Sequence, residues 1–67
     1  MKITEKLAAG IEHLEAERRQ MVASVRRAYD SGRWQAATPA QRARTRSGFR
    51  ANRSRRLRAE QELGKRR

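Results

Sequence analysis

Eight arginines and no lysine lie between Arg42 and Arg58 of this 67-residue chain. A guanidinium is a planar fork of donors that matches two oxygens of a phosphate or carboxylate, whereas an ammonium is a point charge. If this segment is helical, Arg42, Arg46, Arg50, Arg53 and Arg56 gather on one side, and Arg44, Arg55 and Arg58 lie nearly opposite. Such a row suits the phosphate backbone of a nucleic acid. A merely solvated face is the bland account, but lysine serves solubility equally well, so the preference for arginine argues for contact with an anion.

Trp34, the one tryptophan, follows Gly32 and Arg33. It joins the five arginines as a candidate nucleic-acid contact, because an indole stacks on a base or anchors in a partner's pocket. The structural alternative is that it closes the apolar end of the molecule near Tyr29 and Phe49, and this is the reading we favour.

Other chemistries find few residues. There is no cysteine, and His13 is the single histidine, so neither a thiolate site nor a histidine cluster is available and no metal or cofactor is expected. Glu12, Glu15 and Glu17 have basic neighbours on a helical segment and read as surface ion-pair partners. A nucleophile with its base, or two carboxylates facing across a cleft, is what catalysis would require. The chain is therefore expected not to be an enzyme.

The net charge of +11 selects among partners: nucleic acid, an acidic protein surface or an anionic membrane. No zinc finger, KH GXXG loop or RNP aromatic motif accompanies it, so neither DNA nor RNA is singled out. Membrane binding is disfavoured because the apolar face and most of the cations belong to different segments. The charged start of the chain and the lack of a long apolar run lead us to expect a cytoplasmic or nucleoid-associated protein.

The segments that must position these residues differ in charge. Residues 1–37 hold seven Lys/Arg against five Asp/Glu, and residues 38–67 hold eleven against two. In the first half Ile3, Leu7, Ile11, Leu14, Met21 or Val22, Val25 and Tyr29 recur at steps of three and four, forming one helical face about 140° wide. In heptad terms Ile11, Arg18 and Val25 take one seam position and Leu7, Leu14, Met21 and Ala28 the other, a short coiled-coil pattern with Arg18 as its single charge. Arg18 either fixes register against a carboxylate or snorkels out of the seam. Gly10 costs about 1 kcal/mol relative to alanine, and it either permits close helix approach or is simply tolerated.

Gly32 should cap this helix after Asp30. A second start follows in Thr38-Pro39-Ala40-Gln41: a threonine cap, proline at the first helical position and glutamine three residues after the cap. The spacing predicts helices over 3–30 and 39–63, a linker over 31–38 and a basic tail over 64–67, in one small domain of residues 1–67. Ser47-Gly48 is a candidate kink. The second helix has no apolar stripe; only Phe49, Asn52, Ala59 and Leu63 form a narrow strip able to rest on the first.

The expected fold is all-α: two long helices joined by a short linker, as a helical hairpin or a splayed pair. Because the second helix offers little apolar surface, the stripe of Ile3, Leu7, Ile11, Leu14, Val22, Val25 and Tyr29 is expected to serve as a protein interface, in a homodimer or a larger complex. The leading functional expectation is a small basic nucleic-acid-binding protein, DNA or RNA, that grips phosphates through its arginine helix. The competing one is a protein-interaction factor, an inhibitor or accessory subunit, that docks both helices on a larger protein or nucleoprotein complex.

Overall fold

The computed structural model describes residues 2–66, and among these it contains helices and no strand. Three helices follow in order: α1 over Ile3–Asp30, α2 over Arg33–Ala36 and α3 over Pro39–Lys65. α1 and α3 pack against each other along their length, giving a helical hairpin 47 Å long and 18 by 13 Å across. They run antiparallel: Ala28 and Val25 border the same crevice as Thr45, and Ala8 and Ile11 border another with Leu63 and Gly64. No described helix is long and apolar enough to cross a membrane.

Capping explains where the helices begin and end. Ser31 N donates to Arg27 O (3.0 Å) and Gly32 N to Tyr29 O (3.2 Å), so the last carbonyls of α1 are satisfied by a turn that needs Gly32 at φ 79°. The chain then makes the single turn of α2, which the linker expected over 31–38 did not include. Its end is held by Arg42, whose Nη1 donates to the carbonyls of Trp34 (3.3 Å) and Ala37 (2.6 Å). Thr38 opens α3 with a complete capping box: Gln41 N donates to Thr38 Oγ1 (3.1 Å) and Thr38 N donates to Gln41 Oε1 (2.9 Å).

α3 runs unbroken through Ser47-Gly48 and through Gly64, two residues beyond the expected end. Gly64 keeps a negative φ instead of the left-handed conformation of a glycine cap. Arg66 follows the helix and donates to Glu62 (2.9 Å), an i to i+4 pair that favours continued helix over an early stop. Arg67, the end of the expected tail, lies outside the described residues.

α1 and α3 meet along a seam that is only partly apolar. On α1 the half-buried residues include Leu7, Gly10, Ile11, Leu14, Glu17, Met21, Val25 and Ala28. On α3 they are Arg42, Thr45, Gly48, Phe49, Arg56, Ala59, Glu62 and Leu63, around the fully buried Asn52. Residues 42, 45, 49, 52, 56, 59 and 63 alternate steps of three and four, the spacing by which one helix follows another. α3 thus has a seam without having an apolar stripe. Among the described residues no hydrophobic side chain is fully buried.

The stripe of α1 is consequently divided. Leu7, Ile11, Leu14 and Val25 turn to α3, whereas Ile3, Val22 and Tyr29 stay exposed, and Met21 rather than Val22 takes the inward position. Arg18 is exposed too, and the charge in the seam is Glu17. The reason is the phase of the contact: α3 lies toward the Glu17 side of the apolar arc, so residues on the arc's other edge, Arg18, Val22 and Tyr29, fall outside it. Gly10 has nothing within 4 Å of where a Cβ would stand, so its half-buried backbone serves no close approach.

Candidate functional site

The arginines of α3 have separate placements. Arg42 is half-buried and spends donors on the linker carbonyls. Arg56, also half-buried, donates from Nε to Asn52 Oδ1 (3.1 Å). Arg46, Arg50 and Arg53 are exposed, as are Arg44, Arg55 and Arg58 on the other side. Of the five arginines expected to act as one row, the structure brings three, Arg50, Arg53 and Arg56, into a common groove.

That groove, of about 540 Å³, is lined by Arg18, Phe49, Arg50, Arg53 and Arg56. Arg18 comes from α1, so the groove spans both helices. The register explains its presence: Asn52 contacts the Leu14 carbonyl, and the antiparallel run brings Arg18, one turn further along α1, level with Phe49. Four arginines therefore line one concavity, and no acidic residue lines it. Among the described residues the one ion pair in direct contact is Arg66–Glu62, at the far end of the hairpin, so none of the groove arginines is directly paired with a carboxylate. Like charges around one concavity repel, and an anion relieves that repulsion while receiving charge-assisted hydrogen bonds.

Beside the groove, α3 is tied to α1 through Asn52. Its Nδ2 donates to Leu14 O (3.0 Å) and to Glu17 Oε1 (2.7 Å), while its Oδ1 accepts from Arg56. Asn52 has no exposed surface and no buried side-chain polar atom among the described residues lacks a partner. The network fixes the direction of the Arg56 guanidinium, and it places Glu17, expected as a surface ion-pair partner, between the helices.

Phe49 separates the arginine groove from a smaller crevice of about 290 Å³ toward the linker, lined by Met21, Ser24, Val25, Ala28, Trp34, Thr45, Gly48 and Phe49. Trp34 lies over this crevice, half-buried, with its ring stacked on Tyr29 at a centroid distance of 5.3 Å and an interplanar angle of 23°. This arrangement matches closure of the apolar end by Trp34, Tyr29 and Phe49, and it separates Trp34 from the arginine groove. His13, Glu12 and Glu15 are exposed. No group of three or more His, Cys, Asp or Glu among the described residues is placed to hold a metal ion.

Two groove residues were outside the expected set. Arg18 was visible as the charge interrupting the α1 stripe, and only the phase of the pairing reveals that it joins the α3 arginines. Phe49 was visible as part of the narrow strip on α3, but its second neighbourhood among arginines follows from the same phase. No protein-family profile, curated protein or solved structure matches the chain.

Proposed function

We propose that the chain binds nucleic acid through the interhelical groove, with Arg18, Arg50, Arg53 and Arg56 contacting phosphate and Arg46 extending the contact along α3. The observation that carries this reading is the lining of one concavity by four arginines from two helices and by no acidic residue. A solvated basic face needs no such convergence; a phosphate ligand does. Arg46 lies ~6 Å along the helix axis from Arg50, and Arg50 ~4.5 Å from Arg53, so successive turns of α3 offer cations to a continuing backbone. Arg42 is left out because the linker already engages it, and Trp34 because it stacks on Tyr29.

Binding of this kind depends on released counterions. The test is fluorescence anisotropy with labelled duplex DNA and structured RNA at low and physiological salt, using the native chain and a variant with Arg46, Arg50 and Arg53 changed to glutamine. The native chain should bind below micromolar concentration at low salt. In the variant the slope of log affinity against log salt should fall by about 3, roughly one for each phosphate contact removed. No binding to any polyanion at low salt would sink the reading.

A second reading rests on a different observation. Ile3, Val22, Tyr29 and Leu57 are 52%, 41%, 51% and 46% exposed, and the described residues bury no hydrophobic side chain fully. Val22 and Tyr29 are two turns apart on one side of α1, as a helix-docking surface requires. Under this reading the hairpin is a protein-interaction factor or a homodimer, and sedimentation separates the two: a concentration-dependent dimer favours self-association, and a monomer favours another protein.

A further inference from the structure

We infer that the arginine groove takes a single-stranded nucleic acid, with phosphate held by Arg18, Arg50 and Arg53 and an unpaired base packed against Phe49. The inference rests on the proposed nucleic-acid function and specifies the ligand of that same groove.

Three features carry it. First, the groove has one apolar lining residue, Phe49, and the other four are arginines. A phosphate alone would need no aromatic there; a phosphate with its attached base presents an anion and a π-face side by side, which is what guanidinium groups next to a phenyl ring match. Second, Phe49 has no aromatic partner inside the protein: the aromatic pair among the described residues is Tyr29–Trp34. Third, the concavity of about 540 Å³ lies across both helices, so a ligand touching Arg18 and Arg53 together sits on the broad side of an 18 Å wide hairpin.

The last point decides between duplex and single strand. A major groove about 12 Å wide admits one helix, and α3 inserted there would present Arg46, Arg50 and Arg53 but leave Arg18 and Phe49 outside. A duplex backbone laid across the broad side brings phosphates to the arginines while its bases stay turned inward in their pairs. Only an unpaired strand offers a phosphate and a base face to the same concavity, and such strands are bound by cationic grooves with aromatic platforms in many settings.

The experiment compares four labelled probes on the native chain at fixed salt: a single-stranded DNA 20-mer, the RNA of the same sequence, the corresponding duplex, and an abasic phosphodiester oligomer of equal length. The expected result is that at least one single strand binds about tenfold tighter than both the duplex and the abasic oligomer. Phe49→Leu should remove most of that advantage while leaving affinity for the abasic oligomer unchanged, and Arg50→Gln should weaken all four probes. Because Phe49 also borders the linker crevice, helicity of Phe49→Leu is checked by circular dichroism, and the comparison of probes on the native chain stands without it. Equal affinity for single strand, duplex and abasic oligomer would overturn the inference and leave phosphate binding in place. Binding to none of the probes would overturn both.

Discussion

α1 and α3 are nearly equal in length, 28 and 27 residues, and they lie against each other, yet they reach that position by different means. α1 carries an apolar arc wide enough to bury a face, and about half of it finds α3. α3 carries a seam of the same three-four spacing filled with Arg42, Thr45, Phe49, Asn52, Arg56, Ala59 and Leu63, only three of which are apolar. Its polar members are not waiting for water. Arg42 closes the linker, Arg56 bonds Asn52, and Asn52 bonds both Glu17 and the Leu14 carbonyl. The contrast shows that pairing two helices requires a spacing and satisfied partners, and that an apolar stripe is one way of meeting the requirement. It also explains why the exposed arginines end up beside the seam: a helix with polar residues inside has its remaining cations free to flank the interface.

The largest expected effect on stability comes from the middle of that seam. Asn52→Ala removes one acceptor and one donor side that serve three groups, and should cost about 2 kcal/mol, read as a lowered urea midpoint or melting temperature. Replacing Asn52 and Glu17 together by leucine removes two buried polar groups that demand each other as partners and leaves the half-buried Arg56 to turn to solvent, and should recover part of that loss. A double variant no more stable than Asn52→Ala would show that the polar layer does not act as a unit, and the comparison between the two helices would lose its main support.

Next in size is the linker end, where the contrast is between an apolar cluster and the polar seam. Trp34→Ala removes the stack on Tyr29 and the cover of the crevice beside Phe49 and Val25, and should cost somewhat under 2 kcal/mol because Trp34 is only half-buried. The accompanying sign is loss of the near-ultraviolet circular dichroism of the stacked rings with most helicity retained. Thr38→Ala removes the hydroxyl that accepts from the Gln41 amide, leaves the backbone N–H of residue 38 bonded to Gln41 Oε1, and should cost about 1 kcal/mol, seen in melting and in faster amide exchange at Gln41. Equal protection of the Gln41 amide in both chains would mean that Pro39 alone sets the start of α3.

These sites also mark how far the sequence could be read. The two long helices, the glycine turn at Gly32 and the capping box were legible because each is a local rule acting within a few residues. The phase of the pairing was not. Arg18 and Glu17 are adjacent on α1, and the heptad count puts Arg18 in the seam where the structure puts Glu17; the Asn52 amide, which bonds Glu17, goes with that rotation of one helix on the other. From that rotation follow the exposure of Val22, the half-buried position of Met21 and the entry of Arg18 into the groove. The split of the arginine row has the same origin, since Arg42 and Arg56 occupy seam positions and Arg46, Arg50 and Arg53 do not. Periodicity in charge alone placed all five on one side; burial distinguishes them, and burial depends on the partner helix.

The smallest effect offers the sharpest contrast, because it compares the two helices at a single atom. Gly10 lies in α1 with open space where a Cβ would stand, and Gly48 lies in α3 with Met21 Cε 3.4 Å from that position. Each glycine gives up about 1 kcal/mol of helix propensity relative to alanine. Gly10→Ala should therefore raise stability by close to that amount in thermal or urea unfolding. Gly48→Ala should gain less than Gly10→Ala, since the new methyl meets the end of the Met21 side chain, which is flexible enough to shift but loses rotamer freedom in doing so. Equal gains would show that Met21 moves aside without cost and that the seam is loose at this level. A net loss at Gly48 would show the opposite: that α1 and α3 are held at a separation only a glycine permits, and that the close approach at Gly48, together with the Asn52 layer one turn away, sets the distance between the helices and hence the width of the arginine groove.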